Sequence, residues 1–206
     1  MAEERPDLPY EKAVEEAAKT LSKAVEVVKS ASPAIADIYG WMVGDRVSEA
    51  RKRNADAFAR KTKRIIQERS LEEPQPVPED LATPLLEQAQ RESRDAMQEL
   101  YAALLANAME PAHANDVRPE FIKTLKDLQP IDIIVLRKAM DLRGTQNPTF
   151  HQPRLNEILP GERPSALEIS INHLEALRCI RSHPQGFVIS SFGQELLTAC
   201  DPHISQ

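Results

Sequence analysis

MQELYAALLANAME, residues 97–110, decides the fold. Between Glu99 and Glu110 it carries no charge, and four of its residues are Ala. Met97, Leu100, Tyr101, Leu104, Leu105 and Ala108 recur at i, i+3, i+4, i+7 spacing, which is the signature of a helix rather than a strand. Its apolar run is about half of the roughly 20 residues a membrane-spanning helix needs, so it predicts a packed helix within a core. The small Ala side chains let neighbouring helices approach closely.

The same helical economy extends outward. The chain of 206 residues holds only six Gly and one Trp and is rich in Ala, Leu, Glu, Lys and Arg, which predicts a mainly α fold. On the carboxyl side, Pro111 stops the helix. Pro119 opens a short one with Phe121, Ile122, Leu125 and Leu128 on its inner face, and PIDIIVLRKAMDLR (130–143) reads as a central helix stopped by Gly144. Beyond it come a short helix around Arg154 to Leu159 and a helix opened by Ser165-x-x-Glu168 that ends near Ile180. Gly186-Phe187-Val188-Ile189 is the one convincing strand, and a last helix opens at Ser191 and runs to Cys200. That order predicts a winged helix-turn-helix-like element over 128–202.

On the amino side, the predicted helices are preceded by the linker SLEEPQPVPED (70–80), whose three prolines favour extended chain. The resulting division is an N-terminal helical region over 1–70, a proline-rich linker over 71–80, and a helical bundle over 81–206 that includes the winged tail. Within the first region, residues 11–30 predict an amphipathic helix. A second, longer one runs from Ala34 to about Ser70 behind Pro33. AIADIYGWMVG contains Gly40-x-x-x-Gly44 around Trp41, a pattern that suits self-association and, less well, perturbation of a membrane.

Charge then changes abruptly. Residues 46–69 hold nine basic against three acidic side chains, and residues 71–110 hold nine acidic against two basic. At 100° per residue, Arg46, Arg53, Arg60 and Arg64 fall within about 40° of one another, apart from a seam of Val47, Phe58 and Ile65. This arginine stripe predicts either docking against the acidic segment or recognition of an anionic partner, because guanidinium groups make paired hydrogen bonds to oxyanions.

Several function classes are disfavoured. A net charge of −6 opposes nucleic-acid binding through bulk charge. The amino terminus MAEERPDLPYEK has no signal-peptide character, and two cysteines make no disulfide framework, so a cytoplasmic setting is expected. Gly-rich phosphate loops, His-Glu-x-x-His and Gly-x-Ser-x-Gly are missing, so no enzyme and no cofactor are expected. Cys179-x3-His183 with Cys200-x2-His203 has zinc-competent residues, but both Cys sit in apolar helical contexts, and no metal is expected. The helix SALEISINHLEALRCI offers Glu168, Asn172, His173, Glu175 and Arg178 outside its apolar positions. Two Glu against one Arg make it a poor DNA reader.

IYGWMVGDRV (38–47) with ARKRNADAF after it, PQPVPEDLATPLLEQA (74–89), MQELYAALLANAME (97–110), VRPEFIKTLKDLQPIDIIVLRKA (117–139) and VISSFGQELLTACDP (188–202) together resemble the abortive infection alpha family. The resemblance covers roughly residues 33–202. It implies a bacterial cytoplasmic protein linked with phage defence and carries over no catalytic residues. The combined expectation is a non-enzymatic protein acting through a protein partner or homo-oligomer, with a nucleic-acid-binding regulator as the alternative and membrane association unlikely on length.

Overall fold

The computed structural model describes residues 49–71 and 74–203. Gly40, Trp41, Gly44 and Arg46, the amphipathic helix over 11–30 and the first part of the long basic helix lie outside the described residues. Within them the chain is mainly helical, with eight helices and one two-stranded antiparallel sheet. In order these are α1 (Glu49–Glu68), α2 (Glu79–Arg91), α3 (Asp95–Met109), α4 (Pro119–Asp127), α5 (Pro130–Arg143), α6 (Gln152–Ile158), α7 (Pro164–Ala176), β1 (Ile180–His183), β2 (Gly186–Ile189) and α8 (Ser191–Ala199).

The Ala-rich stretch is the axis of the molecule. From Leu100 to Met109 every residue of α3 is buried, Asn107 included, so this helix is enclosed on all sides rather than amphipathic. α1 and α2 pack on it, α4 closes over α2 and α3, and α8 approaches it from the carboxyl half, while α5 packs on α7 and α8. Phe58 and Ile65 of α1, Leu104 of α3, Leu136 of α5 and Leu174 of α7 belong to one continuous apolar core.

Local chemistry explains the boundaries. Pro119, Pro130, Pro153 and Pro164 each occupy the first turn of a helix, where the missing N–H costs nothing. α1 and α7 end in the same way. Ser70 and Arg178 take left-handed backbone (φ 53° and 59°), Leu71 N–H donates to the Ile66 carbonyl, and Cys179 N–H donates to the Leu174 carbonyl. Glycine is the usual residue at such a stop.

Three sequence expectations are corrected here. The helix expected to reach Ile180 ends at Ala176, and residues 180–183 form a second strand beside the expected one. α7 begins behind Arg163 with Pro164 at its first turn, so Ser165 is not its cap. α8 is capped by Ser190, whose Oγ accepts the Gly193 N–H at 2.9 Å, rather than by Ser191.

The hairpin pairs Ile180 with Ile189 and His183 with Gly186. A further antiparallel bridge joins Phe150 to Phe187, with N···O distances of 2.9 and 2.7 Å. Two glycines make this end possible. A Cβ on Gly186, at φ 129°, would lie 2.3 Å from the Phe150 carbonyl oxygen, and one on Gly193 would lie 2.2 Å from that of Cys179.

Candidate interaction surface

α1 carries its charge away from the core. Ala55, Phe58, Ala59, Thr62 and Ile65 are buried, whereas Arg53, Arg60 and Arg64 are exposed on the opposite face. The stripe is therefore real as far as it is described, and its members divide. Arg64 pairs with Glu99 of α3 and, at 3.6 Å, with Glu68. Lys61, which the sequence reading left out of the stripe, contacts Asp95 at 2.6 Å and Glu99 at 3.4 Å and holds the Asp95 carboxyl below the usual range.

These contacts are the expected docking against the acidic segment. They use one flank of the helix. Arg53 and Arg60 make no ion pair among the described residues, although Arg60 opposes the upward shift that burial imposes on the Asp56 carboxyl. Ala57, Arg60, Lys61, Arg64 and Asp95 line a shallow groove of about 300 Å3 along that face.

α7 presents a different chemistry. Glu168 and Asn172 are exposed with Ile169, which is 68% exposed, and the exposed Glu175 accepts the Ser182 hydroxyl of β1 at 2.6 Å on one carboxylate oxygen. Ile169 was not among the residues that the sequence singled out on this helix. His173 does not share this surface freely, since its Nδ1 lies 2.8 Å from Asp132 Oδ2. Arg178 lies beyond the helix, in the turn that leads to β1.

Two buried polar networks position these surfaces. At one end of α3, Glu92 accepts hydrogen bonds from the Arg94 backbone N–H (2.7 Å) and guanidinium (2.6 and 2.9 Å), and Arg94 also donates to Gln129 Oε1 at 2.6 Å. Gln129 N–H donates to Asp132 Oδ2 at 2.7 Å, and Asp132, 1% exposed, accepts the Ser170 hydroxyl at 2.6 Å. At the other end, Arg69 donates to Asn107, to Glu110 (2.9 Å), and to the carbonyls of Asp201 (2.7 Å) and Pro202 (3.1 Å). Asn107 in turn donates to the Ala199 carbonyl at 2.6 Å. The α2–α3 junction is thus tied to α7, and α1 to the end of α8.

Burial pushes the Glu92 carboxyl up, but the hydrogen bonds and charge of Arg94 outweigh it and leave the group below its ordinary value of 4.5. A depressed carboxylate stabilises the fold above its unfolded pKa and loses that contribution as pH falls through the folded one. The difference in thermal midpoint between the wild type and Glu92→Gln should therefore be largest above about pH 5.5 and shrink steadily below about pH 4. A pH-independent difference would remove this assignment.

The cysteines are placed for packing. Burial pushes the Cys179 thiol up to about 12 and raises that of Cys200 further, so both stay protonated at neutral pH. Among the described residues, no group of three His, Cys, Asp or Glu side chains converges as a metal would require, and no helix is long and apolar enough to cross a membrane.

Residues 50–204 match the family model described as abortive infection alpha. The chain belongs to the abortive infection alpha family. This membership points to a role in abortive infection, a form of phage defence, and the matched span covers all but the first residue of α1 and every later helix and strand. No curated protein sequence and no solved structure matches the chain.

Proposed function

We propose that this abortive infection alpha protein acts in the cytoplasm without catalysing a reaction, docking an anionic protein surface on the outward face of α1. The observation that carries the reading is the exposure of Arg53 and Arg60, which make no ion pair among the described residues, directly opposite the seam that α1 buries. Two exposed guanidinium groups beside a groove are suited to paired hydrogen bonds with carboxylates. The polar clusters inside the molecule support a structural assignment. Ser170 is buried and donates to Asp132 rather than to His173, so it is not arranged as an activated nucleophile.

The carboxyl-terminal order α5, the Phe150 bridge, α6, α7, β1, β2 supports reading this part as a winged-helix module. In such a module α7 would be the helix offered to DNA. Its outward Glu168 and Glu175 would repel phosphates, which favours a protein over a nucleic acid as the partner of this face.

The test is protection of cells against phage. Arg53→Glu with Arg60→Glu should abolish protection while the circular dichroism spectrum and accumulation of the protein stay unchanged. Undiminished protection would overturn the reading. Retention on DNA that weakens with salt and disappears in this variant would instead establish the basic face as a nucleic-acid surface.

A further inference from the structure

We infer that the anionic surface received by α1 is the outward face of α7 on a second copy of this chain. The inference rests on the reading of α1 as a docking face and names its occupant. It follows from two helical surfaces that are complementary in charge, spacing and shape.

Arg53 and Arg60 are seven residues apart, and so are Glu168 and Glu175. At 1.5 Å per residue, each pair is separated by about 10 Å along its helix, and seven residues bring the helix back to nearly the same face. Two cations on one helix thus match two anions on the other. Laid antiparallel, the helices set Glu175 opposite Arg53 and Glu168 opposite Arg60. Asn172 then lies between the two pairs with a side-chain amide able to bond either partner.

The apolar parts also correspond. In this alignment Ile169 comes level with the groove lined by Ala57, Arg60, Lys61, Arg64 and Asp95, whose volume of about 300 Å3 admits a side chain of its size against Ala57 and the aliphatic stems of the basic residues, with the Asp95 carboxylate held by Lys61. Ile169 and Ile134 are the large apolar side chains most exposed among the described residues, and Ile169, next to Glu168, is the more exposed of the two. Its burial would remove the apolar surface that α7 otherwise leaves in water. Lys61 and Arg64 are already turned toward Asp95 and Glu99, which leaves the middle of the face to Ala57.

α1 and α7 are different surfaces of one molecule, so the contact is head-to-tail. Each copy keeps a free donor and a free acceptor face, and association continues unless a ring closes. The design uses exposed ion pairs around one apolar anchor, so it weakens with ionic strength.

Light scattering or sedimentation of the full chain at low and high salt reads this directly. The wild type should exceed its monomer mass of 23.1 kDa at low salt, rising with concentration, and return toward it at high salt. Arg53→Glu with Arg60→Glu, and separately Glu168→Arg with Glu175→Arg, should each remain monomeric. Mixing the two variants should restore assembly, because each reversed face then meets a complementary one, and this rescue also shows that both are folded. A monomeric wild type at low salt, or a mixture that stays monomeric, would overturn the inference. If the phage assay still loses protection in the α1 variant, the docking reading stands with another acidic partner. If protection is unaffected, that reading falls as well.

Discussion

Replacing Arg69 with methionine should destabilise the protein by about 3–5 kcal/mol, which is the scale for breaking a buried ion pair by removing one partner. Arg69 and Glu110 side chains are 9% and 7% exposed, and the guanidinium satisfies four acceptors on two separate parts of the chain, the end of α3 and the segment after α8. Methionine preserves much of the aliphatic bulk, so the loss isolates the polar network. Left behind are a buried carboxylate, the Asn107 side-chain oxygen and two carbonyls. The midpoint of urea unfolding measures the effect, and the thermal midpoint should fall by roughly 10 °C for a protein of this size. Glu110→Leu in the same background should recover part of the loss, since it removes the stranded charge. A decrease below about 1 kcal/mol in the single variant would mean the network is solvated and contributes little.

Asp132→Ala should cost about 2–4 kcal/mol, combining a lost helix cap with donors left unpaired in the interior. Asp132 caps the first turn of α5 through the Gln129 N–H and at the same time fixes Ser170 and His173 of α7. Asp132→Asn keeps one acceptor oxygen and should lose markedly less. Ser170→Ala removes a single donor and should lose least. Chemical denaturation of the three variants checks this order, and a cost for Asp132→Ala no greater than for Ser170→Ala would show that the carboxylate is not the organising group.

The helices were legible wherever apolar periodicity or proline marked them. Met97 through Ala108 specifies its own helix because the core surrounds most of it, and Pro130 through Ala139 because Ile133, Val135, Leu136 and Ala139 are buried along it. β1 was not legible. Ile180-Arg181-Ser182-His183 buries only its first residue, and Ile180 continues the helical spacing of the preceding segment. The left-handed Arg178 that separates the two has no sequence signal, because arginine at such a position is fixed by the Schellman turn around it.

For the candidate interaction surface, the separation of arginines and seam by roughly a third of a turn followed from 100° geometry. Which arginines remain unpaired did not, because Asp95 lies 34 residues from Lys61 and Glu99 lies 35 from Arg64. Such pairings depend on how α1 meets α3. The exposure of Ile169 was not legible for a related reason: an apolar residue in a helical stretch is indistinguishable from a core residue until the neighbouring helix is in place.

The Arg69 network also sets an order of events during synthesis. Its final acceptors, the carbonyls of Asp201 and Pro202, lie 132 and 133 positions after the arginine that binds them. At roughly 5–20 residues per second, a translating ribosome needs on the order of ten seconds to make that interval. Arg69 can meet Asn107 and Glu110 only once residue 110, 41 positions on, has been made, and from then until the end of the interval it cannot complete its contacts. The nascent protein therefore waits with one half of its closure made, and the lock is set only when residues 201 and 202 emerge.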